Sequence, residues 1–102
     1  MDKREALKLV IALKNKLEKA IRIKEIYLFG SIAKDQSNEN SDIDVAIVSD
    51  NFTGNKLSDK KLIRRFVLET DYNLDVFPFR TDKFNTDNPY AEEVLKTGIK
   101  VT

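Results

Sequence analysis

Two aspartates one residue apart, Asp42 and Asp44, open an apolar run that continues Val45-Ala46-Ile47-Val48. Side chains alternate across a strand, so positions two apart share a face, with Cα atoms about 6–7 Å apart. Asp42 and Asp44 therefore project together with Ala46, while Ile43, Val45 and Ile47 point the other way into a core. Two carboxylates side by side at the mouth of a buried strand repel each other, and their burial is costly unless a cation joins them. Magnesium suits such a place, because it takes oxygen ligands and prefers one or two protein carboxylates plus substrate phosphates. The chemistry indicated is metal-dependent handling of phosphate. Asp-x-Asp alone is a weak signal, met mostly in loop caps and solvated pairs; its place on an apolar strand gives it weight.

Two further features bear on the same chemistry. Leu28-Phe29 ends abruptly in Gly30-Ser31. Glycine lets backbone approach a phosphate closely, and N–H groups beside a serine hydroxyl can hold its oxygens; the same dipeptide also makes an ordinary capped turn. Asp75 lies inside the apolar run Leu74-Asp75-Val76-Phe77-Pro78-Phe79 and shares a face with Phe77 and Phe79. An acid within a strand is unusual, since Asp has poor β propensity and burial is expensive. It serves a site, or it pairs with a cation such as Arg64 or Arg65.

Composition narrows the choices. The 102 residues are 41% apolar and 34% charged, enough for one domain with one modest core. A net charge of +1 gives no bulk field toward nucleic acid or an anionic membrane. Without cysteine there are no disulfides, zinc–thiolate sites or thiol nucleophiles. Without histidine the commonest general base and metal ligand are missing, which leaves carboxylates, hydroxyls, amines or a hard metal. No apolar run approaches the roughly 20 residues of a membrane span and no signal-peptide pattern opens the chain, so a cytoplasmic protein is expected. No Gly-x-x-x-x-Gly-Lys loop occurs. A calcium loop starting at Asp35 fails, with Asn40 and Ala46 where glycine and glutamate are required.

The elements that must position these residues follow from periodicity. Leu7, Val10, Leu13, Leu17 and Ile21 mark an amphipathic helix over residues 2–21. Strands are expected over 25–29, 42–48 and 74–79, with a brief helical turn at 32–34 and a surface loop at 35–41. A polar connection over 49–56 leads to a helix ending near residue 70. Ser58 is its expected N-cap, Asp59 stands in its first turn, and Leu57 and Leu62 form a hydrophobic staple. Its buried stripe would be Leu62, Ile63, Phe66 and Val67. Pro78 puts the third strand at a sheet edge or ends it there. Asn88-Pro89 reads as an N-cap followed by proline at the first helical position, with Val94 and Leu95 as apolar contacts. Gly98 suits the position after this helix, and residues 99–101 add a short strand or pack down. The fold class is α/β, a small mixed sheet of three or four strands flanked by helices, in a single domain spanning residues 1–102.

The set Gly30-Ser31, a polar spacer, Ser41-Asp42-Ile43-Asp44 and a strand aspartate, Asp75, resembles the minimal nucleotidyltransferases of the DNA polymerase beta superfamily. The resemblance covers nearly the whole chain in element order. One departure is Asp35, which follows Ala33-Lys34 where that family usually has glycine. The resemblance implies that Asp42, Asp44 and Asp75 are catalytic and hold two magnesium ions, with Asp75 accepting the proton of the attacking hydroxyl. It implies that Gly30, Ser31 and Lys34 bind the nucleotide, with ATP the usual donor of a nucleoside monophosphate. It further implies a small helical partner of the HEPN type, as toxin to this antitoxin, modified on a tyrosine. Two other functions remain open at this point. One is a non-catalytic subunit that neutralises its partner by contact; the other is a nucleotide-delivering subunit for a small-molecule acceptor.

Overall fold

The structure, a computed structural model, describes residues 2–36, 42–71 and 73–102. Most of the expected loop at 35–41, together with Ser41 of the Ser-Asp-Ile-Asp motif, lies outside the described residues. The elements run α1 (Lys3–Leu17), β1 (Glu25–Phe29), β2 (Ile43–Ser49), α2 (Lys56–Thr70), β3 (Leu74–Arg80), a 3-10 turn (Thr81–Lys83), α3 (Pro89–Thr97) and β4 (Ile99–Lys100). The four strands form one mixed sheet in the order β3-β2-β1-β4. β1 is antiparallel to both β2 and β4, and the crossover through α2 makes β2 and β3 parallel.

Strand alternation divides the core into two layers. Ile26, Leu28, Ile43, Val45, Ile47, Leu74 and Val76 face α1 and α2, meeting Val10, Leu13, Leu17, Ile63 and Val67. Tyr27, Phe29, Ala46, Val48 and Phe79 face the other way, where Ala91 and Val94 of α3 cover them. Asp44 and Asp75 belong by parity to this second face, which α3 shares.

Capping differs from the expectation at two helices. α1 ends at Leu17, not near Ile21; the chain turns through residues 18–20 and Ile21 is buried beyond the helix end. Asp2 caps its start by accepting from the Glu5 N–H at 2.8 Å. α2 starts two residues ahead of Ser58, because Asn55 is the N-cap and its Oδ1 accepts the Ser58 N–H at 3.0 Å. Asp59 is buried and reaches back to the loop, accepting from Thr53 N, Thr53 Oγ1 and Gly54 N at 2.8, 3.0 and 3.0 Å. With the helix shifted in this way, Leu57 and Leu62 are exposed and form no staple, and the buried stripe is Ile63 and Val67. α3 begins as expected, with Asn88 accepting from Tyr90 N and Ala91 N ahead of Pro89. Val94 is buried but Leu95 is exposed. Gly98 follows the helix with φ −76, so extended backbone, not a left-handed glycine, ends it.

Candidate functional site

β1 delivers the bend. Phe29 lies opposite Asp44 in the antiparallel register, so the next residue, Gly30, leaves the sheet beside that carboxylate. Gly30 has φ +79, and a Cβ there would overlap Oδ2 of Asp44. Both the turn and the close approach therefore require glycine. Residues 31–35 form a tight turn in which Lys34 N donates to Gly30 O at 3.2 Å and Asp35 N to Ile32 O at 3.2 Å. Among the described residues, the N–H groups of Ser31, Ile32 and Ala33 have no backbone acceptor, as at the start of any helical turn.

β2 and β3 deliver the acids. In the parallel register Asp44 is the direct partner of Asp75, which sets the two on one face about 4.8 Å apart between strands. Asp44 and Asp75 are half-buried, and Asp42, one residue ahead of β2, is exposed. Among the described residues none of the three takes part in a salt bridge. Arg65, one suggested partner of Asp75, is engaged with Glu69 at 3.8 Å. Burial, and then the charges of Asp75 and Asp42, push the Asp44 carboxyl up to about 6 from its usual 3.8.

Lys34 is brought to the same end of the sheet but is engaged: its Nζ lies 2.6 Å from Glu93 Oε1 of α3. Asp35 takes the left-handed conformation, φ +58, that a glycine would adopt freely, and pairs with Lys3 at 2.9 Å.

The acids fit a hard divalent cation. The donors are all oxygen, they repel one another, and among the described residues no base neutralises them. No group of three acidic side chains among the described residues converges on a single point. The arrangement therefore suits ions that take one or two carboxylates and complete their shell with phosphate and water.

One feature of this face was not expected from the sequence. A cavity of about 360 Å³ lies along β3 beyond Asp75, lined by Phe77, Arg80, Lys83 and Tyr90, with the Lys56 ammonium 5.6 Å from the Phe77 ring centre. Strand parity puts Phe77 on the acid face; the arrival of Lys56 and Tyr90 from elsewhere depends on tertiary structure.

Comparison with known proteins agrees with the architecture. Over 96% of its length the chain superposes on 80% of a protein assigned as a nucleotidyltransferase from Sulfolobus solfataricus, with TM-score 0.72 and 20% identity. A toxin–antitoxin structure containing AMP-PNP matches 94% of the chain over 72% of its own, with TM-score 0.65 and 22% identity. The toxin–antitoxin MntA-HpeT, as a mutant with two aspartates two positions apart changed to glutamate, matches 100% of the chain over 73% of its own. That match has TM-score 0.60 and 21% identity. No curated protein sequence matches the chain. Residues 10–100 match the family described as the nucleotidyltransferase domain, and since they make up most of the chain, this protein belongs to that family.

Proposed function

We propose that this domain transfers a nucleoside monophosphate, AMP from ATP, to a hydroxyl of a protein partner, and so acts as the antitoxin of a toxin–antitoxin pair. The observation that carries the reading is the in-register pairing of Asp44 with Asp75 beside Gly30, with burial and then the charges of Asp75 and Asp42 pushing the Asp44 carboxyl up to about 6. Asp42, Asp44 and Asp75 would hold two magnesium ions, which when bound neutralise the triphosphate and the charge that develops during transfer. The Gly30 backbone and the Ser31 hydroxyl hold the terminal phosphates, in a turn whose first N–H groups have no backbone acceptor among the described residues. Lys34 adds a cation at the same place, balanced by Glu93.

Asp75 receives the proton of the attacking hydroxyl. The hydroxyl oxygen forms a bond to the α-phosphorus, the bond from that phosphorus to the bridging oxygen breaks, and pyrophosphate leaves in line. Holding the two reactants in line supplies much of the rate. A protein acceptor suits a chain of this size, which can hold a nucleotide but leaves little surface to enclose a second substrate. The two toxin–antitoxin neighbours, one of them containing AMP-PNP, support the partner and the donor by analogy. A HEPN-type toxin with a tyrosine acceptor is the specific form of the proposal.

The test is intact-mass measurement of the protein with its co-purified partners after incubation with ATP and magnesium. A gain of one adenylate on one chain, lost with Asp44→Asn, is the expected result. Full neutralisation of a toxin by Asp44→Asn, with no mass gain in the wild type, would replace catalysis by contact.

A further inference from the structure

The strand that carries Asp75 is an edge strand, and it is bordered by cations on both sides. On the acid face, the 360 Å³ cavity is lined by Lys56, Arg80 and Lys83. On the α2 face, a second cavity of about 340 Å³ lies between α2 and β3, lined by Lys60, Lys61 and Arg64. Asp75 is the single acid lining either cavity among the described residues. Of these cations Arg80 pairs with Asp82; the others form no salt bridge among the described residues. In a chain of net charge +1 this is a local concentration of positive charge. Leu57 and Leu68, 74% and 58% exposed, stand at the two ends of the α2 stripe.

The backbone has a matching opening. Ile43 N donates to Asn73 O at 3.0 Å, which fixes the phase of the ladder. Odd-numbered residues of β3 turn their N–H and C=O groups to β2, and even-numbered ones turn theirs to the open edge. Leu74 N is taken by Asp71 O at 3.3 Å, and Pro78 has no N–H. Val76 is left with both groups outward, one residue from Asp75. Proline at an outward position is what a guarded edge strand requires.

We propose that an acidic, extended segment of a protein partner docks along the β3 edge as a short added strand centred on Val76. Its side chains would alternate. Those on one face present carboxylates to Lys60, Lys61 and Arg64 and apolar groups to Leu57 or Leu68. Those on the other pass beside Asp75 and the Lys56–Phe77 wall. Main-chain pairing supplies affinity and the alternate pockets supply specificity. The exposed leucines and the open backbone groups favour a polypeptide over a nucleic acid strand, which would use the cations and Tyr90 alone. The inference rests on the proposed transfer reaction in one respect, namely that the residue beside Asp75 carries the hydroxyl to be modified.

The experiment uses fluorescent ten-residue peptides, alternating glutamate and serine or alternating lysine and serine, and decauridylate, with binding followed by anisotropy. The glutamate peptide should bind, and neither control should match it. The triple variant K60E/K61E/R64E, at the half-buried Lys60 and the exposed Lys61 and Arg64, should weaken that binding at least about tenfold, and K60Q/K61Q/R64Q by less. Both variants should keep the wild-type melting temperature and its rise with ATP and magnesium. Absence of glutamate-peptide binding, equal binding of the lysine peptide, preference for decauridylate, or unchanged affinity in both variants would each overturn the proposal. Peptide binding without adenylate transfer would instead count against the reaction and leave the docking edge standing.

Discussion

Asp59 and Asp44 are both carboxylates set into apolar surroundings, and the fold treats them in opposite ways. Asp59 is 2% exposed, yet three donors from Thr53 and Gly54 surround it, and it ties the loop to the first turn of α2. Asp44 is half-buried, and among the described residues it has neither a hydrogen-bond donor nor a cation, only two more acids nearby. Burial of a charge is tolerated when hydrogen bonds replace its water. Asp59 meets that condition and reads as structure. Asp44 fails it, and repulsion adds to the cost. The chain retains at Asp44 an expense that an asparagine would reduce, and the cation of the proposed reaction would offset it.

Exchanging the two acids one at a time sharpens that contrast. The largest effect is expected on transfer: Asp44→Asn should lower the rate of nucleotide incorporation by about 10²–10³-fold or more, measured with labelled ATP. Removing the other carboxylate should act on folding. Asp59→Ala strands three donors around a vacated site and should cost about 3 kcal/mol in denaturant unfolding, with the folded fraction retaining its transfer rate. Gly30→Ala joins the two regimes. It forces a left-handed alanine against Asp44 and should cost about 1–2 kcal/mol of stability while lowering nucleotide incorporation.

The pH dependence separates the acids further. Asp44 ionises near 3.8 in the unfolded chain and about 6 in the fold. The unfolded chain therefore releases its proton first as pH rises, and stability is lost between those two values and stays lost above them. Since Asp44 is only half-buried, solvent screening reduces the full shift to about 1 kcal/mol at pH 7. Asp44→Asn should remove this fall and stabilise the metal-free protein by a similar amount, in thermal melts taken from pH 4 to 7. The smallest effect belongs to Asp35→Gly, which relieves the left-handed aspartate but gives up the exposed pair with Lys3. The net gain should be under about 1 kcal/mol.

How far the sequence could carry this differs from residue to residue. Strand parity is a local property, so the sharing of a face by Asp75, Phe77 and Phe79, and the edge position signalled by Pro78, were readable. The glycine at the end of β1 was readable too, though not that its missing side chain makes room for Asp44. The start of α2 was placed at Ser58, but Asn55 is the cap and accepts the Ser58 N–H, while Asp59 folds back onto Thr53 and Gly54 just ahead of the helix. Leu57 and Leu62 were misplaced by the same shift. Lys34 meeting Glu93, 59 residues away, and Lys56 meeting Phe77 depend on packing that no local pattern encodes. The order of the strands is likewise set by pairing between distant segments.

Thermal unfolding of the wild type and of Asp44→Asn, each with and without magnesium and a non-hydrolysable ATP analogue, bears most directly on the claim that these acids hold a metal–nucleotide complex. Ligand that binds only the folded state raises the melting temperature. The account predicts a rise in the wild type that requires both magnesium and nucleotide, and none in the variant, whose ligand-free melting temperature is the higher of the two. An equal rise in both proteins, or a ligand-free variant less stable than the wild type, would contradict it.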